Sequence, residues 1–254
     1  MTITTLGLDA DDTLWHSENH FAVTEQRFGE LVAPWVEGEE AASLLLERER
    51  ANLRLFGYGV KGFTLSMIET AIEVSGGRLP TGAVQRIIGW GKEMMDHPVE
   101  LLAGVEETIE ALGERYRLLL ITKGDLFHQE SKIAESGLAP HFEAIEILSE
   151  KSPDHYRRVL GRLGVDPCGF VMVGNSLRSD VLPVIDIGGH GVHIPYGITW
   201  GHEQVDGDPE VDTFHRLEEF AALPSLLDRL HGAGPADDRA SLGDADRLVG
   251  GEGP

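Results

Sequence analysis

The stretch Leu6-Gly7-Leu8-Asp9-Ala10-Asp11-Asp12-Thr13 decides how this 254-residue chain is read. Leu6-Gly7-Leu8 has the apolar character of a short buried strand, and it runs straight into three carboxylates. Carboxylates so close repel one another unless something positive sits among them. An Asp-rich turn alone is a common helix cap. The meaning of the stretch therefore depends on what stands at the ends of the other strands.

Residues 16–98 change rhythm. Apolar positions recur at helical spacing: Phe21, Phe28, Leu31 and Val32; Leu44, Leu45 and Leu46; Leu65, Ile68 and Ile72; Val84, Ile87 and Ile88. Gly57-Tyr58-Gly59 and Gly76-Gly77 punctuate the run. This predicts a bundle of about four helices without strands. After Pro98 strands and helices alternate. Strands are expected at 118–121, 144–148, 170–173, 192–194 and 211–214. Helices are expected at 105–112, 128–136, 154–163, 179–187 and 217–230. Such alternation implies an α/β fold with a doubly wound parallel sheet. Residues 1–15 and 99–231 would form this Rossmann-like core, and 16–98 a helical insertion. Residues 232–254, rich in Gly, Asp and Ala, read as a disordered tail.

Composition narrows the function. Hydrophobic residues make up 41%, enough to bury a sizeable core. The formal net charge is -22, from 43 acidic and 21 basic residues. That field repels nucleic acid and anionic membranes. It also repels a phosphorylated substrate, so a phosphate site here needs a local positive centre. The single cysteine, Cys168, permits no internal disulfide and reads as ordinary packing. Met1 to Thr5 shows no signal-peptide pattern, and no run nears the roughly 18 apolar residues of a membrane span. A cytoplasmic protein, monomer or homodimer, is the expectation.

In an open parallel sheet, ligands bind beyond the carboxyl ends of the strands. Those ends carry Asp9, Asp11 and Asp12; then Thr122, Lys123 and Asp125; then Lys151; then Asn175 and, a turn on, Asp180. Each group alone is weak, because a lone Lys is ordinarily a solvated charge. In order at successive strand ends, they converge on one crevice. Oxygen ligands of this kind suit Mg2+. A carboxylate then serves as nucleophile, and a second, two residues on, as proton donor to the leaving oxygen.

These segments resemble the four motifs of the haloacid dehalogenase-like (HAD) hydrolase superfamily. Its Asp-x-Asp-x-Thr is met by Asp9-Ala10-Asp11-Asp12-Thr13, its strand-end Ser or Thr by Thr122, and its Lys by Lys151. Its acidic loop is approximated by Gly174-Asn175-Ser176-Leu177-Arg178-Ser179-Asp180. The resemblance spans residues 3–231 and implies roles. Asp9 would be nucleophile and metal ligand. Asp11 would be general acid/base, with its backbone carbonyl on the metal. Thr122 and Lys151 would hold the phosphate, and Asn175 and Asp180 would complete the Mg2+ site. The insertion falls where the first class of cap domain lies. The implied function is a phosphohydrolase that cleaves a small phosphorylated metabolite through an aspartyl-phosphate.

Two departures stand out. Asn175 occupies a position where many members carry Asp. Lys123 stands where Asn is common, and reads either as a surface lysine or as an extra cation beside the phosphate. Dehalogenases of the superfamily lack the second Asp of the first motif, so Asp11 favours phosphate over halide. A dehalogenase and a weakly catalytic phosphometabolite-binding protein stay as alternatives. Arg54, Tyr58 and Lys61 lie near the glycine-punctuated turn of the insertion. His128 and His202 read as surface histidines.

Overall fold

The computed structural model describes residues 2–198, 200–205 and 207–232. The residues read as a tail lie outside this range, apart from Gly232, which ends the last helix. The sheet has six strands in the order β3-β2-β1-β4-β5-β6, and every pairing is parallel. They are β1 (Thr5–Leu8), β2 (Arg117–Lys123), β3 (Ala144–Leu148), β4 (Phe170–Gly174), β5 (His190–His193) and β6 (Phe214–Arg216). The α/β architecture expected from the alternation is the one formed.

Side chains of the central strands alternate between two apolar cores, as strand geometry requires. Leu6, Leu8, Leu118, Leu120, Val171 and Val173 share one face with Val105 and Ile109 of α5 (Val105–Gly113) and Leu227 of α9 (Leu223–Gly232). Leu119, Ile121, Phe170 and Met172 share the other with Tyr156 and Leu160 of α7 (Pro153–Leu163) and Val184 of α8 (Leu182–Ile185). Each fully buried Leu or Val contributes about 1.5–3 kcal/mol. Gly7 is a packing requirement: a Cβ there would lie 2.5 Å from the Phe170 ring and 2.9 Å from Met172 Sδ.

Between β1 and β2 the chain forms α1 (Glu18–Val32), α2 (Gly38–Phe56), α3 (Val60–Val74) and α4 (Thr81–Met95) before α5. They bury a separate core around Phe28, Leu45, Met67 and Ile87. Its register differs from the expected one. Leu65, Ile72 and Ile88 are 41%, 46% and 41% exposed, while Phe63, Met67 and Ala71 form the buried stripe of α3. Both sets fit a 3.6-residue period. The insertion's helix packing chooses between them.

Three expected elements differ most from those formed. The helix expected at 179–187 is a π-helical turn, Leu177–Val181, followed by the short α8. Pro183 sits in the first turn of α8, where its missing N–H costs nothing. The strand expected at 211–214 is instead Phe214–Arg216, because pairing with Gly191 to His193 sets where β6 lies. Val211 is left 48% exposed. The closing helix begins at Leu223, not 217, after a 3-10 turn at Phe220–Ala222.

Candidate active site

The sheet brings the predicted site residues to one rim. Asp9, Asp11, Thr122, Lys123, Lys151, Asn175 and Asp180 all line a single cavity of about 180 Å³ between the strand ends and the helical insertion. Local structure aims each of them. Lys151 directly precedes Ser152, the N-cap of α7, whose hydroxyl accepts from the His155 N–H. The start of α7 thus fixes where the lysine leaves the backbone.

Lys151 is wholly enclosed, with its side chain 1% exposed. Its Nζ donates to Asp9 Oδ1 at 2.5 Å and to Asp180 Oδ1 at 2.6 Å. Burial works against the ammonium, but Asp180 and Asp9 outweigh it and raise the lysine above its usual value. Burial also raises the Asp9 carboxyl. Lys151 opposes that and Asp180 adds to it, and Asp9 is pushed up to about 7. The second oxygen of Asp180, Oδ2, accepts from the Ser176 N–H at 3.1 Å. Asp180 therefore spends one oxygen on Lys151 and the other on its own loop. Gly174 makes room for it: a Cβ there would lie 2.1 Å from Asp180 Oδ2.

Thr13 ties the first loop to the fourth. Its hydroxyl donates to Asp9 Oδ2 at 3.2 Å and accepts from the Asn175 N–H at 3.1 Å. The Asn175 side chain, oriented as its neighbours require, brings its amide within 3.3 Å of both Asp9 Oδ2 and the Asp11 carbonyl oxygen. Three oxygen-bearing groups thus converge on one point. His193, buried at the end of β5, meets the Asn175 carbonyl through Nε2 at 3.0 Å and steadies that loop.

Asp12 adopts a left-handed backbone, φ 61°. Its carboxylate accepts from the Ser17 and Glu18 N–H groups at 2.8 and 3.0 Å, which caps the entry to α1. Asp11 turns the other way, toward α6 (Leu126–Glu135). Trp15 Nε1 donates to its Oδ1 at 2.7 Å, Lys132 Nζ to the same oxygen at 2.5 Å, and Gln129 Nε2 to Oδ2 at 2.8 Å. Burial raises the Asp11 carboxyl, but Lys132, Gln129 and Trp15 bring it below the usual carboxylate value.

Lys123 is drawn to the far wall. Its Nζ donates to Ser179 Oγ at 2.7 Å and to Glu203, and lies 4.2 Å from the centre of the Tyr58 ring. Glu203 also accepts from Ser176 Oγ at 2.5 Å and Ser179 Oγ at 2.6 Å. Burial opposes its charge, but Lys123 and these hydroxyls hold it down at about 2. Thr122, 1% exposed, lies on the cavity wall.

The insertion closes over this rim. Tyr58 lines the cavity, whereas Arg54 and Lys61 do not; Lys61 pairs with Asp125 of the cavity wall at 2.9 Å. Trp200 Nε1 donates to Glu49 at 3.3 Å, and Arg50 donates to the Gly201 carbonyl at 2.9 Å. His128 is not a surface residue: it is 8% exposed and lines the cavity. Burial lowers its pKa.

Residues 3–188 match the family model for haloacid dehalogenase-like hydrolases. The chain belongs to this family. A haloacid dehalogenase-like family hydrolase from Xanthomonas campestris shares 42% of its residues, with a TM-score of 0.80 over 91% of this chain and 94% of that one. The N-acylneuraminate-9-phosphatase of Mus musculus is 32% identical over 97 residues, and the match covers 36% of this chain. It spans only 39% of that relative's length. The putative HAD-hydrolase YfnB from Bacillus subtilis, in a magnesium-bound crystal structure, shares the fold, with a TM-score of 0.61 at 17% identity. Among the described residues of this haloacid dehalogenase-like hydrolase, no helix is long and apolar enough to cross a membrane.

Sequence reading passed over Trp15, Gln129, Lys132 and Glu203. Gln129 and Lys132 carried a signal: three residues apart on a helix, they share a face just after Thr122-Lys123-Gly124-Asp125. Glu203 carried none, since it reaches the site from an irregular loop.

Proposed function

We propose that this hydrolase is a Mg2+-dependent phosphatase for a small phosphorylated metabolite, acting through an aspartyl-phosphate on Asp9. One observation carries the reading: the Asn175 amide lies 3.3 Å from both Asp9 Oδ2 and the Asp11 carbonyl oxygen, and Asp9 is held by the Lys151 ammonium. This donor set is hard oxygen, the kind Mg2+ prefers. Asp9, the Asp11 carbonyl and Asn175 would hold the ion once the Asn175 amide turns its oxygen inward. Asp180 would act from behind through Lys151. The bound ion supplies charge stabilisation for the transferring phosphoryl group.

The chain's own residues then divide the work. An Asp9 oxygen attacks phosphorus, and the ester P–O bond breaks. A protonated Asp11 gives its proton to the leaving oxygen. Water next attacks the phosphoryl group, the P–O bond to Asp9 breaks, and Asp11 takes the water's proton. Lys151 keeps Asp9 oriented and offsets the charge that gathers there. Thr122 donates to a phosphate oxygen from the wall. Residues 16–98 serve as the cap domain over the core of 1–15 and 99–231, and the Tyr58 turn excludes water. Asp11 is what argues against halide chemistry, which needs no proton donor at that place.

The test is turnover of para-nitrophenyl phosphate and a panel of phosphometabolites with Mg2+. Activity that vanishes with chelator and in Asp9→Asn supports the reading. Halide release from a 2-haloacid without metal would replace it with the dehalogenase alternative. Metabolite binding with no turnover at any metal concentration would replace it with a binding protein.

A further inference from the structure

Asp11 is held by three side chains that the four motifs do not include. Trp15 and Lys132 donate to its Oδ1 at 2.7 and 2.5 Å, and Gln129 donates to its Oδ2 at 2.8 Å. Trp15 is 0% and Gln129 3% exposed, so neither is a surface contact. The backbone makes space for this arrangement. Gly124 has φ 143°, and a Cβ there would come within 2.9 Å of Gln129 Nε2. The same Nε2 also donates to the Lys123 carbonyl at 2.9 Å. Gln129 Oε1, by contrast, is buried and meets no donor among the described residues. An unmet buried acceptor costs stability. The amide is committed to Asp11 in spite of that cost.

A carboxylate oxygen has two lone pairs. Two donors occupy Oδ1 of Asp11, while one occupies Oδ2, which leaves Oδ2 with a lone pair to accept a proton. We propose that Lys132, Gln129 and Trp15 are positioning residues that set Asp11 as the base for breakdown of the phosphoenzyme. This rests on the phosphatase reading. In that step the water oxygen bonds to phosphorus, the P–O bond to Asp9 breaks, and the water proton passes to Asp11 Oδ2. The first step needs no such base, and with para-nitrophenolate as leaving group it needs little acid.

The experiment compares the full-length protein with Lys132→Met on para-nitrophenyl phosphate, with acid-quenched samples analysed by mass for phosphate on Asp9. Slowing only the second step lowers kcat and KM together and leaves kcat/KM alone. We expect kcat to fall about 10- to 100-fold, the effect of losing one charge-assisted hydrogen bond, with kcat/KM held within about twofold. Phosphoenzyme should accumulate in Lys132→Met and return to the wild-type level in Lys132→Arg. A parallel fall in kcat/KM without accumulation, or no change in kcat, overturns the proposal. Gln129→Met is the second variant should Lys132→Met fail to fold, with the same expectation. The indole N–H proton resonance of Trp15, assigned with Trp15→Phe, reads the arrangement without turnover. It should shift in Lys132→Met, and an unmoved resonance also overturns the proposal. Wild-type protein that forms no phosphoenzyme and releases no phosphate is a failure of the phosphatase reading, which the resonance distinguishes.

Discussion

Tyr58, on the turn between α2 and α3, donates its hydroxyl to Glu150 Oε2 at 2.6 Å. Glu150 directly precedes Lys151, so this bond ties the insertion to the chain neighbour of the residue that holds Asp9. Tyr58→Phe removes that bond and keeps the ring against Lys123. We expect a stability loss of about 1 kcal/mol in thermal unfolding and a raised KM with a smaller change in kcat. An unchanged KM would show that this contact does not govern closure.

Lys151→Met leaves Asp9 and Asp180 buried without their shared cation. Removing one partner of a buried ion network costs about 3–5 kcal/mol. The variant should unfold at markedly lower temperature and lose phosphatase activity. Lowering the pH toward 5 should recover part of the stability, because protonation then relieves the two carboxyls. A variant as stable as wild type at about pH 8 would contradict the account of this site.

Glu18 and Glu49 on the insertion set a pH dependence. Burial, with Asp12 and Glu49 adding to it, raises Glu18 to about 8. Burial raises Glu49 to about 7, with the Trp200 indole opposing and Glu25 adding. Both folded values lie above the unfolded value near 4.5. Between those limits the folded state binds more protons than the unfolded chain, so stability falls as pH rises. The melting temperature of the metal-free protein, taken relative to that of Glu18→Gln, should therefore fall from about pH 5 to about pH 8; the buried histidines, whose lowered values act in the opposite sense, are common to both proteins. A difference between the two proteins that stays constant or rises over this interval would refute it.

Asn175→Asp adds a carboxylate where three oxygen groups converge. Without metal it should lower the melting temperature, since the new charge faces Asp9 with no added cation. With Mg2+ it should bind more tightly, and the concentration giving half-maximal activity should fall about tenfold. Equal metal dependence in both proteins would show that Asn175 does not face the ion.

The strands were legible because their signal is local. Leu118-Leu119-Leu120-Ile121 and Phe170-Val171-Met172-Val173 are apolar on both faces, as parallel strands covered by helices must be. Other features were not local. The buried stripe of α3 runs through Phe63, Met67 and Ala71 and not Leu65 and Ile72, although both sets have helical spacing. Only contact with α2 and α4 breaks that tie. β6 likewise begins where β5 offers a partner, not where its apolar residues begin.

The candidate site divides the same way. The order Asp9, Asp11, Thr122, Lys151, Asn175 and Asp180 is written in the chain, and parallel strands bring such strand-end residues to one rim. The stretch from Leu6 to Thr13 alone was enough to place the first strand and the first carboxylates. The partners of those carboxylates were decided by tertiary structure. Asp180 goes to Lys151, Lys123 goes to Glu203, and Asp11 goes to Lys132, Gln129 and Trp15. Hydrogen bonds and ion pairs act over a few ångströms, so they follow proximity in space. Lys132 lies 121 positions from Asp11 in the chain, and the packing of α6 on the sheet makes them neighbours.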